Sequence, residues 1–377
     1  MLRKIPVLVL AVFVIALPSG AARADEMTPD AKEWMKKFAR GNEISVRIQA
    51  VEMLGYIGDP ATLSDLAENL GPYPEEWPGH LAEALGRMGG PRALRVLTTL
   101  VNDRYLLQGY KWESFRQIGE AVGRIDRKDR TAYELMRNRY EKGCQYSEGK
   151  SEDAMLFSMA WYGDDKAVGA LVNMMKTSPP ERQYLIAERL GEIGNKKSDE
   201  ELCMLVDYSE DKKLKQVATI SLGRRKAKLA AESLMDALTK GLELEASQAL
   251  GMIGNKAAAK ELKPLLLHKT PAVKLNAAFA LARLGDKSGA AAARAMLGDA
   301  DPVTAAKAAA TLLAASEEDG PAALKKAWDK LDAKQRYWFL KDNLEGDAWA
   351  SAFLKDVGQT DKFPGIKRAA CEATAAK

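Results

Sequence analysis

The sequence predicts an all-α fold, a right-handed α-solenoid built from antiparallel helix hairpins. Two observations predict it: a six-residue motif returns along the chain, and it returns at a fixed step. The motif at 190–195, LGEIGN, recurs at 54–59, 85–90 and 250–255, and in altered form at 281–286. Most steps between second glycines are 31 residues, and the step of 60 from Gly194 to Gly254 contains a weaker copy at 222–225. Such a period is typical of arrays whose units stack on their neighbours.

Residues 1–24 form a predicted secretory signal peptide. Arg3 and Lys4 supply the basic start, residues 5–17 the apolar core, and Ala22-Arg23-Ala24 the small-residue cleavage site. The apolar core is too short to cross a bilayer as a helix. We therefore expect cleavage after Ala24 and a periplasmic or secreted mature chain; an uncleaved anchor is the alternative.

Residues 25–41 are predicted to form an N-terminal helical cap over the first repeat. Thr28 and Pro29 suit an N-cap and a first helical position, and Trp34 and Phe38 share one helix face. The repeat array then occupies 42–315. Within its first unit, Gly58 suits a helix C-terminus, Asp59 the cap of the next helix, and Pro60 its first turn.

The array resembles HEAT repeats in the short form found in phycobilisome-lyase-type proteins. Val46-Arg47 and Ala50 before Leu54 carry the resemblance, as do Val273-Lys274 and Ala277 before Leu281. It covers about eight or nine units. The resemblance implies an armadillo/HEAT-like superhelix and protein–protein interaction, and we expect the second helices along its inner side.

Two kinds of segment interrupt the regular pattern. The first, around 71–79 and 103–150, contains the candidate partner-binding residues Trp77, Tyr105, Tyr110 and Trp112. The alternative is that these aromatic side chains fill a distorted repeat. The second, 316–377, is aromatic and is predicted to be a C-terminal helical cap with a loose tail from Cys371; the alternative is an aromatic docking surface.

Charge and motifs give no indication of catalysis. Without its leader the chain has 53 basic and 52 acidic residues in mixed order, so no basic patch for nucleic acid is predicted. Two histidines, three distant cysteines and the lack of a phosphate-binding glycine loop predict no catalytic residues, no metal site and no cofactor. Paired carboxylates fall at predicted helix starts and loops, where solvated acids are usual.

The sequence thus favours an exported, non-catalytic binding or scaffold protein of the bacterial envelope, whose partner is another protein or an envelope complex. The alternative function, implied by the resemblance alone, is a lyase-like enzyme or a chaperone for a chromophore or other cofactor.

Overall fold

The computed structural model describes residues 27–41, 43–68, 77–102, 112–125 and 150–375, with short helical pieces between 133 and 141, and every regular element in these ranges is helical. The predicted signal peptide and its cleavage site lie outside the described residues.

Helix hairpins follow one another along the chain as the period predicts. The first helix of each hairpin spans Ile44–Ile57, Trp77–Met88, Trp112–Ile125, Lys150–Trp161, Pro180–Ile193, Lys212–Arg225, Glu243–Ile253, Pro271–Arg283 or Pro302–Ala314. The described second helices span Leu63–Glu68, Gly90–Asn102, Asp165–Thr177, Lys196–Tyr208, Ala231–Ala237, Ala259–Leu262, Ala290–Arg294 and Gly320–Trp328. The all-α solenoid is therefore the observed architecture.

The tight turns between paired helices follow from the residues at the motif end. Gly58 closes its helix in the left-handed region, with φ of 65°, which glycine adopts without steric cost. The side chain of Asp59 then accepts a hydrogen bond from the amide of Ala61 at 3.0 Å and caps a short 3-10 turn that begins at Pro60.

First helices pack on one another through a repeated small-residue contact, which we call the seam. A methyl group placed on Gly55, Gly86, Gly191, Gly223 or Gly251 would lie 2.7 or 2.8 Å from a Cα of the next first helix. The facing residues are Ala84, Ala121, Ser221, Ala249 and Ala280. Four of the facing residues lie two positions before the glycine of their own motif, and Ala280 lies two positions before Ala282, so each motif places a small residue on both sides of its helix.

The seam is sparse at one point, between Lys150–Trp161 and Pro180–Ile193. Here Arg189 occupies the position that is alanine or serine in the neighbouring motifs. Because an arginine side chain does not fit a close helix contact, these two helices join mainly through the second helix Asp165–Thr177, which packs on both.

The two ends of the chain meet. The first helix Ile44–Ile57 is covered on one side by Pro29–Arg40, which buries Ala31 and Phe38. It also contacts helices Ala333–Phe339 and Pro364–Ala375 from the far end of the sequence. Gly365 approaches so closely that a methyl group there would lie 2.6 Å from the carbonyl oxygen of Tyr56.

The C-terminal residues have two parts. Gly320–Trp328 packs on the last first helix, Pro302–Ala314. The return segment, residues 333–375, comprises Ala333–Phe339, a π-helical turn Leu340–Leu344, Ser351–Thr360 and Pro364–Ala375. A loose tail was expected from Cys371, but the last helix continues to Ala375 because Ala369, Ala370 and Ala373 are buried on one of its faces.

Candidate functional site: a central cavity

One variable residue of each repeat faces a common cavity. This residue, which we call the inner position, follows the first glycine of the motif or its equivalent. The inner positions lining the cavity are Tyr56, Arg87, Arg124, Trp161, Glu192, Arg224, Met252 and Arg283. The cavity therefore has eight repeats on one wall, and its volume is about 770 Å³.

This arrangement corrects our expectation that second helices line the inner side. All eight inner positions lie within first helices, near their C-terminal ends. The small residues of the seam explain the difference, because they let first helices approach more closely than second helices, and the closely spaced row forms the inside of a curve.

The return segment forms the opposite wall and binds the first two repeats. The indole Nε1 of Trp338 donates to the hydroxyl of Tyr56 at 3.0 Å, and the Lys334 ammonium lies 2.8 Å from Glu52. A guanidinium nitrogen of Arg368 donates to the carbonyl oxygen of Arg87. These contacts join residues about 280 positions apart in sequence.

The same segment also contacts later repeats. The Arg224 guanidinium donates to both carboxylate oxygens of Asp342, at 2.9 and 3.2 Å. Arg283 donates to Asp347 at 2.5 Å, and Lys226 to the carbonyl oxygen of Glu345 at 3.2 Å. The return segment thus crosses the inside of the array from its late repeats to its first one.

A buried ion cluster lies behind the cavity wall, at the sparse point of the seam. Glu120 is completely buried and accepts from Arg116 at 2.7 Å, Arg189 at 3.1 Å and Arg124 at 3.3 Å. Burial raises the pKa of this carboxyl, but the three guanidinium groups outweigh that effect and lower it to about 2. Glu120 is therefore ionised at neutral pH and connects the two halves of the array through Arg189.

A second buried polar cluster joins the return segment to the preceding helix, Gly320–Trp328. Asp361 accepts from Arg336 at 2.7 Å and from the indole of Trp328, also at 2.7 Å. The side chains of Asp361 and Arg336 are only 1% and 4% exposed. The other carboxylate oxygen of Asp361 accepts from the backbone amide of Phe363 at 2.9 Å, so both oxygens have hydrogen-bond partners.

A family model described as HEAT repeats matches residues 31–107, which include the first two hairpins and their seam contact. The same hairpin and seam contact continue through the later repeats. This chain contains HEAT repeats.

Three solved structures are similar to this HEAT-repeat protein at low identity. Human deoxyhypusine hydroxylase in complex with glycerol is 16% identical, with a TM-score of 0.33, over 76% of this chain and 96% of that one. The complex of CpcE and CpcF of phycocyanin lyase from Nostoc sp. is 19% identical, with a TM-score of 0.42, over 64% and 94%. A chain from a structure of the cadherin and β-catenin interaction is 12% identical, with a TM-score of 0.29, over 92% and 85%. No curated protein matches the sequence.

Of the four predicted partner-binding residues, Trp77 and Trp112 have their backbone in the described part of the chain. Tyr105 and Tyr110 lie outside the described residues. Trp77 and Trp112 are the first residues of two first helices, and their side chains are outside the description as well. Their role in partner binding stays a prediction.

The aromatic side chains of the C-terminal residues are packed rather than presented to solvent. Trp328 and Phe339 are buried, and Tyr337, Trp338 and Trp349 are partly buried against the same core. Trp328 and Phe353 meet edge to face with ring centroids 5.4 Å apart. The packing interpretation therefore accounts for these residues.

Outside the cavity, one group of apolar residues is exposed on the outer side of this HEAT-repeat protein. Met204 and Tyr208, one turn apart on helix Lys196–Tyr208, are 56% and 73% exposed. Leu229, 45% exposed, lies in the adjoining 3-10 turn. We call these three residues the outer patch.

The structure describes Cys203 and Cys371, and neither forms a disulfide. Within the described ranges, no three His, Cys, Asp or Glu side chains are grouped to hold a metal ion. None of the helices in those ranges combines the length and apolar character that a membrane span requires.

Sequence reasoning missed the inner positions. Their signal is present in the motif, because the residue after Leu-Gly changes from Tyr56 to Arg87, Glu192 or Met252 while its neighbours stay apolar or glycine. A residue that varies within an otherwise constant motif does not take part in the seam contact. Its side chain can therefore face a cavity that the repeats share.

Proposed function

We propose that this HEAT-repeat protein is an exported, non-catalytic scaffold that binds a protein partner in the bacterial envelope. The single observation that carries the binding proposal is the outer patch. Large apolar side chains at 45–73% exposure on adjacent elements are a usual feature of protein-binding surfaces. The export proposal rests on the sequence of residues 1–24.

The position of the return segment supports an outer rather than an inner binding surface. Residues 337–347 already cross the inside of the array through Trp338, Asp342 and Asp347. A protein partner of ordinary size would have to displace these ion pairs and aromatic contacts. The outer face of the second helices carries no such internal occupant in the described part of the chain.

The test is affinity capture of the mature chain from envelope extracts after mild crosslinking. We expect the wild type to retain one reproducible protein partner in stoichiometric amount, and the double variant Met204→Ser/Tyr208→Ser to lose it. Leu267→Ser is the matched control, because Leu267 is an apolar side chain that is 88% exposed on a different turn. An empty wild-type sample would contradict the scaffold proposal.

The predicted aromatic surface supplies a second arm of the same experiment. If Trp77→Ala/Trp112→Ala loses the partner while the outer-patch variant keeps it, the binding surface is at the interrupted repeats and the outer-patch assignment is wrong. Unfolding curves of all variants show whether a loss reflects binding or folding.

Export has its own measurement. We expect the chain in the periplasmic fraction to begin at Asp25, as N-terminal sequencing would show. A chain that keeps residues 1–24 and stays in the cytoplasm would contradict this part of the proposal.

A further inference from the structure

The central cavity has an excess of positive charge. Seven of its lining side chains are cationic and four are anionic. Its volume of about 770 Å³ lies within the range of small-molecule sites, roughly 300–1,000 Å³. Some of these cations already have a carboxylate partner, and others keep donors that a ligand could use.

Three of the lining cations are already paired with carboxylates. Arg224 binds Asp342 through two hydrogen bonds, Arg283 binds Asp347, and Lys341 lies 2.9 Å from Glu345. The first two pairs join the return segment to the array, the third lies within the segment, and all three cations therefore have little capacity left for a ligand.

Arg87, by contrast, has an unused donor. Its side chain is only 9% exposed, and its Nη1 has no hydrogen-bond partner among the described residues. Its nearest carboxylate, Glu83, is 3.4 Å from Nη2. A buried guanidinium nitrogen without a partner costs folding free energy unless something binds it, and this one belongs to a residue that lines the cavity.

Arg124 and Arg368 each form one side-chain hydrogen bond among the described residues, and the carboxylate of Glu192, which also lines the cavity, attracts Arg124. Arg124 shares the carboxylate of Glu120 with two other arginines and is the most distant of the three, at 3.3 Å. Arg368 donates to a backbone carbonyl, and its ion-pair partner among the described residues, Glu372, is 3.9 Å away. Three guanidinium groups from three different helices therefore retain donors at the same cavity.

Aromatic faces continue the wall beside these arginines. The ring of Tyr337 lies 5.4 Å from that of Tyr56 and 5.3 Å from that of Trp338. The Arg87 guanidinium stacks at one end of this row, 4.4 Å from the Tyr56 ring, and Arg224 lies at the other end, 5.7 Å from Trp338. Such a wall accepts the carbon skeleton of a ligand while the arginines bind its charged groups.

We propose that the central cavity binds a small organic anion with at least two carboxylate or phosphate groups, through Arg87, Arg124 and Arg368. Planar guanidinium groups match both oxyanions with paired hydrogen bonds. Because the three guanidinium groups come from three separate helices, a ligand with more than one charged group can contact more of them at once than a singly charged ligand can. This inference concerns a different surface from the outer patch and does not depend on the scaffold proposal.

The test is titration calorimetry of the mature chain at low ionic strength with citrate and, separately, with pyrophosphate. We expect saturable binding of at least one probe with one site per chain, weakened about 10-fold or more by Arg368→Gln and by Arg87→Gln. Arg294→Gln is the matched control, since Arg294 forms its ion pairs on the outside and is 47% exposed. Binding of citrate alone identifies a polycarboxylate site, and binding of pyrophosphate alone a phosphate site.

Two results would overturn the proposal: no saturable heat with either probe, or equal affinity in Arg368→Gln and Arg294→Gln. Arg368 is 39% exposed, so we expect its variant to fold. If Arg87→Gln unfolds, Arg368→Gln and Arg124→Lys decide the question, because the second keeps the charge and removes the planar fork. Quenching of tryptophan fluorescence is an independent readout, since Trp161 and Trp338 both line the cavity.

Discussion

The first helices and the return segment form the two walls of the central cavity, but different contacts hold them in place. At the seam one contact is repeated, a glycine against an alanine or serine of the next first helix. In the return segment every contact is different: a hydrogen bond at Tyr56, a bidentate ion pair at Arg224 and a single one at Arg283.

The two regions show how far a repeat determines the structure around it. Small residues at a fixed period bring first helices together and thereby create the inner wall. The side chains at the inner positions are free to vary because the seam does not use them, so they can bind a segment with no repeat pattern. Substitutions in the two regions can separate these roles.

Asp361→Asn tests whether the return segment depends on the buried polar cluster around Asp361. The NH2 group of the new amide would face at least one of the donors of Arg336, Trp328 and Phe363. The substitution also removes the negative charge that pairs with the buried Arg336 guanidinium. We expect a loss of about 3–5 kcal/mol in the free energy of unfolding, measured by denaturant titration.

The matched control is Asp356→Asn, which removes an exposed ion pair with Lys325. Its expected cost is below about 1 kcal/mol. Equal losses for the two variants would mean that the buried cluster does not stabilise the segment.

Glu120→Gln tests the polar connection at the sparse point of the seam through its pH dependence. Because the pKa of Glu120 is lowered from 4.5 to about 2 in the fold, its contribution is complete above the unfolded value and disappears as the pH falls from about 4.5 to 2. We expect the variant to be less stable than wild type by on the order of 3 kcal/mol at pH 6, with the gap closing toward pH 2.

Denaturant titrations at several pH values measure this difference. Glu201→Gln, which removes a surface carboxylate 2.6 Å from Lys176, should follow the wild-type curve closely. Parallel curves for wild type and Glu120→Gln would show that the cluster is not linked to folding in this way.

Gly251→Ala tests the seam itself. The added methyl group would lie 2.8 Å from both Cα and Cβ of Ala280, so the two first helices must separate. We expect a loss of about 1–3 kcal/mol in spite of alanine's higher helix propensity. Gly169→Ala is the control, since Gly169 lies in a second helix with open space around it, and should gain about 0.5–1 kcal/mol. If both variants are stabilised, close packing does not require the seam glycines.

Tyr56→Phe removes one contact between the return segment and the first repeat while leaving the ring in place. The Trp338 indole loses its acceptor, so we expect a cost of about 0.5–1.5 kcal/mol. Tyr208→Phe changes a side chain that is 73% exposed and should alter the stability by less than about 0.5 kcal/mol. Thermal unfolding of both variants makes the comparison, and indistinguishable midpoints would argue against the Tyr56 contact.

The repeats could be predicted from the sequence because the same residue pattern returns at a fixed interval. Gly58 predicts the end of a helix and Asp59 the N-cap of the next one. The 31-residue step predicts where the other copies of the motif lie. What the period does not specify is which helix row lies inside. That depends on the close approach of first helices at Gly251 and its equivalents, and a glycine in the sequence does not show which side of the curve it faces.

The candidate site could not be predicted because its two walls come from separate parts of the chain. Asp342 is 118 residues from Arg224, and Trp338 is 282 residues from Tyr56. A single sequence contains no signal that pairs such residues. The aromatic content of 316–377 indicated a packed segment, and only the fold shows that it packs inside the array.

Zero-length carbodiimide crosslinking of the native chain shows whether the C-terminal residues return to the first repeat. The reagent joins an amine and a carboxylate that are already in contact. We predict crosslinked peptides within single chains that connect Lys334 to Glu52 and Lys362 to Asp30, whose charged atoms are 2.8 and 3.3 Å apart. Lys176 and Glu201, 2.6 Å apart within the array, serve as the internal standard. Recovery of that standard without either long-range crosslink would contradict the account.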